Sequence, residues 1–176
     1  MKNRNKLFYA FAVIFLTGCA GMGEAIDRNK PIEMVFSLPG ITKEQAFSAT
    51  RAWVAETFVS SKTVTDDTDK EAGRIILKGR VPRPCEGAMD CMTYGSNLIG
   101  FTLRVDIKDG KLKTTYTNLT TISPPTRGGL TTLGSPEQEN SIFMQNDQTA
   151  AQKALKTLSE QLVVSIKKET SPQKDF

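Results

Sequence analysis

The feature that most constrains this chain is a stretch of strict alternation closed by a two-residue turn. Ile99, Phe101, Leu103, Val105 and Ile107 take every second position, with Thr102, Arg104, Asp106 and Lys108 among the residues between them. Successive side chains on a strand point to opposite faces, so this pattern predicts a strand with one apolar and one wet face. Asp109-Gly110 follows, a dipeptide that accepts positive φ at both central positions of a hairpin turn. A two-residue turn sets the register of the returning strand: Ile107 against Leu112, Val105 against Thr114, Leu103 against Tyr116 and Phe101 against Asn118. The apolar face of such a sheet needs cover from elsewhere in the chain.

Two amphipathic helices supply candidates for that cover. Ile32, Met34, Phe36 and Leu38 share one face of a first strand over 32–38, which Pro39-Gly40 stops. Thr42 with Gln45 three residues on reads as a capping box. The helix it opens runs to about Phe58, with Ala46, Phe47, Thr50, Trp53, Val54, Thr57 and Phe58 as its apolar stripe. Trp53 is expected to anchor the core. Arg74 to Val81 reads as a second strand, broken by Pro82 and Pro84. A last helix from near Asp147 buries Ala151, Ala154, Leu155, Leu158, Leu162 and Ile166, and Lys167-Lys168 suit its C-terminal end. Three polar segments remain. Residues 60–73 read as a solvated turn, because Asp66, Asp67 and Asp69 lack the glycine and terminal glutamate of a calcium-binding loop. Residues 82–97 form a loop carrying Cys85 and Cys91. Residues 123–140, rich in Pro, Gly, Ser and Thr, form a long loop of the kind that is either functional or disordered. The predicted order is β-α-β-β-β-α: an α+β domain over 32–168, with a four-stranded antiparallel sheet and two helices on one of its faces, followed by a tail over 169–176.

The first residues read as an address. Lys2, Arg4 and Lys6 precede an apolar run from Leu7 to Leu16, which is about half the length a spanning helix needs. The run ends in Leu16-Thr17-Gly18-Cys19, which resembles the lipobox of bacterial lipoproteins. That resemblance implies cleavage after residue 18, lipid on the Cys19 thiol and on the new amino group, and stable anchoring by two or three chains. Residues 19–31 then serve as a lipidated tether. Ala20 rather than Asp after the cysteine implies, by the enterobacterial sorting pattern, delivery to the outer membrane. An ordinary secretory signal cut elsewhere is the alternative.

Processing changes the charge. The chain carries 23 basic and 19 acidic residues, and losing Lys2, Arg4 and Lys6 leaves 20 against 19, a net +1. Nucleic acid is not an expected partner of so neutral a domain. The three cysteines sort by compartment: Cys19 to lipid, and Cys85 and Cys91 to a disulfide in an oxidising space. A two-cysteine metal site lacks histidine partners, and the spacing is not that of a Cys-x-x-Cys redox motif. With no histidine anywhere, imidazole-based triads and histidine-ligated metals are excluded. Phosphate-binding glycine motifs are absent as well. Gly128-Gly129 beside Arg127 is a weak candidate anion loop. No cofactor, metal or catalytic residue is expected, although a pair of acids distant in sequence could still meet in space.

Two blocks carry a family resemblance. Phe36 to Trp53 reads Phe-Ser-Leu-Pro-Gly-Ile-Thr-Lys-Glu-Gln-Ala-Phe-Ser-Ala-Thr-Arg-Ala-Trp, and Asp69 to Arg80 reads Asp-Lys-Glu-Ala-Gly-Arg-Ile-Ile-Leu-Lys-Gly-Arg. Together with Phe58 they resemble the DUF4468 family over roughly residues 30–168. The resemblance implies a bacterial envelope protein with a fold like that of the TATA-binding protein, also described as helix-grip, and brings no established activity. The cysteine pair and the long loop stand outside that pattern. The functional expectation is a non-enzymatic binding or scaffolding module, held to the membrane through Cys19 and meeting an envelope protein partner. Its contacts would come from the wet sheet face or from the loops 82–97 and 123–140. A carrier of a small apolar ligand between sheet and C-terminal helix is the second reading, and a carboxylate-based enzyme the third.

Overall fold

A computed structural model describes residues 30–58, 64–127, 133–142 and 144–171. Cys19, the expected leader and most of the tether lie outside the described residues. The chain forms β1 (Ile32–Ser37), α1 (Lys43–Thr57), β2 (Val64–Asp69), β3 (Arg74–Pro82), α2 (Gly87–Tyr94), β4 (Leu98–Lys108), β5 (Lys111–Ser123), β6 (Gln138–Ser141) and α3 (Gln145–Thr170). All strand pairs are antiparallel, in the order β1-β5-β4-β3-β2. β6 pairs with the far end of β5, opposite Thr120 to Ser123.

The α+β class is as expected, but among the described residues the sheet has six strands rather than four, and there are three helices rather than two. Of the missed elements, α2 and β6 lack a buried face. β2 lies inside the expected 60–73 turn. It is an edge strand paired with β3, and its Asp67 and Asp69 are of the kind that discourage further pairing at an edge. β6, inside the expected 123–140 loop, is four exposed polar residues. α2, inside the expected 82–97 loop, buries no residue at all, so it has no apolar stripe to read. The last helix runs two residues into the expected tail, to Thr170.

The hairpin forms as its turn dictates for three of four pairs: Ile107 with Leu112, Val105 with Thr114 and Leu103 with Tyr116. The fourth, Phe101 with Asn118, does not form. Asn118 adopts φ +52, and the register slips there, so that beyond it Gly100 pairs with Thr120, Ile99 with Thr121 and Leu98 with Ile122. The bulge reverses the facing of β5. Ile122 now lies on the side of Gly100, where a Cβ would fall 3.0 Å from its Cδ1.

The helices α1 and α3 pack on the other side. The capping box at Thr42 and Gln45 is present, and α1 presents Ala46, Phe47, Thr50 and Trp53 to the sheet. Leu155, Leu158, Leu162 and Ile166 of α3 meet Leu103, Leu112 and Tyr116 in the same core. Trp53, Phe58, Phe101 and Tyr116 form a chain of edge-on ring contacts with centroids 5.4–6.3 Å apart. Ala154 is only partly buried, and Val163 and Ala150 join the stripe in its place. Three hydroxyls sit inside this core and satisfy one another. Ser159 Oγ lies 2.7 Å from the Tyr116 hydroxyl and 3.1 Å from Thr114 Oγ1. Burial pushes the Tyr116 hydroxyl up to about 12, with the Ser159 contact opposing it.

Candidate functional site

Two surfaces remain uncovered: the end of the sheet that carries α2, and the open face. The first is organised by Arg83. Pro82 ends β3, and the Arg83 backbone N–H donates to the Asn97 carbonyl at 2.9 Å, which closes the excursion through α2. Cys85 and Cys91 are bonded within it, with Cα atoms 5.0 Å apart, the pairing expected of them. The Arg83 side chain is 2% exposed. Its Nε donates to Asp147 Oδ1 at 2.9 Å, and its Nη1 lies 3.2 Å from both oxygens of Asp90. The guanidinium also sits 4.8 Å from the centre of the Tyr94 ring.

This arrangement joins the end of β3 and the disulfide-closed α2 that follows it to the first turn of α3, 64 positions away. Burial on its own would lower the Arg83 pKa; the hydrogen bonds to Asp90 and Asp147 outweigh it and leave the group above its ordinary value. Asp90 is held below the ordinary carboxylate range, first by the Glu86 backbone N–H at 2.8 Å and then by Arg83. Beside the cluster is a cleft of about 260 Å³, lined by Arg83, Glu86, Asp90, Asn146 and Lys153 among others. Lys153 Nζ reaches Glu86 Oε1 at 2.6 Å. Two acids therefore do converge here, but on a guanidinium between them. An acid–base pair needs carboxyl groups whose proton affinities are pushed apart. Asp90 is instead stabilised as an anion, which suits a clamp that fixes α2 onto the body of the domain.

The open face is broad and polar. By register it carries Glu33 and Val35 of β1, Lys113, Thr115 and Thr117 of β5, Thr102, Arg104 and Asp106 of β4, and Arg74, Ile76, Lys78 and Arg80 of β3. Its charges pair among themselves. Lys113 meets Glu33 at 2.9 Å, Arg104 meets Asp106 at 2.8 Å, and Arg74 meets Asp67 at 3.4 Å. Arg80 bonds Glu137 at 2.8 Å and lies 3.5 Å from Glu139 of β6. A face whose cations are already matched by carboxylates offers a nucleic-acid backbone little counterion release.

The structure thus brings Cys85 and Cys91 together and leaves Cys19, Gly128 and Gly129 outside the described residues. Among the described residues no three His, Cys, Asp or Glu side chains are grouped to hold a metal, and no helix is long and apolar enough to cross a membrane. Sequence reasoning missed the Arg83 clamp, because Asp147 lies 64 positions away. The buried hydroxyl network had one signal, a threonine at position 114 on the apolar face of the hairpin.

Comparison with known proteins places the fold. A family model described as a domain of unknown function, DUF4468, with TBP-like fold matches residues 33–121, half of the chain. A crystal structure of a TBP-like protein from Parabacteroides distasonis superposes with a TM-score of 0.54 at 10% identity, over 85% of this chain and 97% of that one. A DUF4468 family protein from Bacteroides ovatus superposes with a TM-score of 0.53 at 11% identity, over 89% of this chain and 95% of that one. No curated protein matches the chain. Over the matched span lie β1 to β4 with α1 and α2, and most of β5, so the chain belongs to the DUF4468 family and has its TBP-like fold.

Proposed function

We propose that this protein is a bacterial envelope lipoprotein, anchored through lipid on Cys19, whose domain is a non-enzymatic binding or scaffolding module. The lipobox-like Leu16-Thr17-Gly18-Cys19 supports the anchor, and Ala20 supports the periplasmic face of the outer membrane as its place. The observation that carries the binding role is the one-sided sheet. Its covered face is filled by side chains: Leu103, Leu112 and Tyr116 are fully buried against Leu155, Leu162 and Ile166. A carrier of a small apolar ligand would need that space. The opposite face lies open, and its rigid, ion-paired surface of threonines and charges suits a protein partner.

Photo-crosslinking side chains at Thr115 and Thr117, in intact cells, test this role. Discrete adducts with one envelope protein are expected, and they should be absent from the same probe at Glu160 on the outer side of α3. Equal, diffuse labelling from both faces contradicts the role. Deleting residues 126–137 asks separately whether the long loop contributes, since unchanged adducts remove that loop from the interface.

A further inference from the structure

The exposed apolar side chains are unevenly placed. Among the described residues six large hydrophobic side chains are exposed: Val35, Met89, Met92, Leu133, Met144 and Val164. Four of them gather at one end of the sheet. Met89 and Met92, 78% and 84% exposed, are three apart on α2 and so share a face of that helix. Met144 is the residue before α3, three positions from the Asp147 that Arg83 holds, and is 61% exposed. Leu133, 99% exposed, lies two residues from Ser135, whose carbonyl accepts from Thr126 just beyond β5. The opposite end is built differently. Around the Asp109-Gly110 turn lie Lys43, Lys70, Glu71, Lys108 and Lys111, and toward this end the register places only Val35, opposite Lys113, of the six apolar residues on the sheet.

The chain enters the domain midway along β5, from the direction of this apolar end. Ile32 pairs with Tyr116 and Ser37 with Lys111, so the start of β1 points along β5 toward Ser123. There β5 meets the start of β4, and there α2 and the first turn of α3 are clamped by Arg83. The described chain begins at Lys30. If Cys19 carries lipid, residues 20–29 are the whole spacer between bilayer and domain, with an extended reach of at most roughly 40 Å.

We propose that this end is a membrane-contacting surface, with Met89 and Met92 dipping into the headgroup layer of the leaflet that holds the Cys19 lipid. The inference rests on the lipid-anchor reading above. A few methionines give weak interfacial binding by themselves. A short tether makes the contact intramolecular, at an effective concentration near millimolar, and so populates it. The disulfide and the Arg83–Asp90 pair hold α2 in place beforehand, which removes much of the ordering cost of contact. The acids beside the patch are largely offset. Arg83 balances one of the two charges of Asp90 and Asp147, and Lys153 that of Glu86, which leaves a single net negative charge in the cluster. The bilayer contact would hold the domain in one orientation, with the open sheet face turned sideways along the membrane and within reach of a partner.

The test uses the full chain processed in its own membrane and reconstituted into phosphatidylethanolamine–phosphatidylglycerol vesicles that contain a diazirine phospholipid. Peptides covering residues 87–94 should take up lipid label at least tenfold above those covering 106–113. Replacing both methionines, Met89→Ser with Met92→Ser, should remove most of that label while the protein still floats with the vesicles. These side chains are exposed, so the double variant should fold as the parent does. Protein that floats with the vesicles but leaves 87–94 unlabelled overturns this inference and spares the anchor. Crosslinking of 87–94 to a second copy or to another protein in place of lipid overturns it equally. Protein that does not float, with Cys19 unmodified by mass, overturns both.

Discussion

The two ends of the sheet are built on opposite principles. At the hairpin end, main-chain hydrogen bonds do most of the work. Asp109-Gly110 turns the chain, Asp109 accepts from the Lys43 backbone at the start of α1, and Gly110 exchanges hydrogen bonds with Leu38 and Ile41. At the α2 end, side chains converge. A bulge at Asn118 shifts the register, a buried arginine ties β3 to α2 and α3, and a disulfide closes the excursion. The first end is held by main-chain geometry, whereas the second is specified by particular side-chain partners. Four exposed apolar residues belong to the second.

The sharpest way to break the hairpin end is at Gly73. It has φ +66 and its carbonyl accepts from Ile107, and a Cβ there would fall 2.4 Å from the Ile107 carbonyl oxygen. Gly73→Ala should cost about 3 kcal/mol, as left-handed strain and a backbone clash add. Urea unfolding checks this, and a loss under 1 kcal/mol means the turn is not fixed as described.

The core between the two ends has its own signature in alkali. The Tyr116 hydroxyl is raised to about 12 in the fold from 10.0. A raised value means that stability is intact below about pH 10 and is lost as pH climbs toward 12, by roughly 2–3 kcal/mol in all. Tyr116→Phe should flatten that slope, whatever it does to the neutral-pH stability, because it removes the titrating group.

At the clamped end, Arg83→Met keeps the volume and removes the charge. The loss should be about 2 kcal/mol, less than for a wholly buried ion pair because Asp90 and Asp147 retain partial access to water. A double-mutant cycle with Asp147→Asn should show coupling, and strict additivity would remove the clamp from the account. The smallest effect is on the acid limb. Asp90 is depressed by the Glu86 N–H and by Arg83, so its contribution is present above the ordinary aspartate value and fades as pH falls through its folded value. Asp90→Asn should therefore be less stable at neutral pH and converge with the parent in strong acid. Parallel curves would count against it.

What was legible in the sequence follows the same division. Period-two alternation and the Asp109-Gly110 turn yielded three register pairs, and the Thr42–Gln45 box and the α3 stripe were found where expected. Elements without a buried face left no trace. α2 and β6 read as loops because periodicity records burial, and they have none to record. β2 reads as a turn because its run of acids and threonines carries no apolar alternation. The bulge was invisible because nothing in Thr117-Asn118-Leu119 marks an extra residue until the strands are paired. Arg83 looked like a charge between two prolines. Its partner Asp147 looked like the start of a helix, and only folding puts them 2.9 Å apart.

The two ends differ in function only if one of them faces a membrane, so the anchor decides the account. Intact mass of the protein extracted from its own membranes measures it directly. The prediction is a chain that begins at Cys19, carries diacylglycerol and an amide-linked acyl chain, and lacks the two thiol hydrogens of Cys85 and Cys91. An unmodified Cys19, in a chain cut elsewhere or not at all, would contradict it.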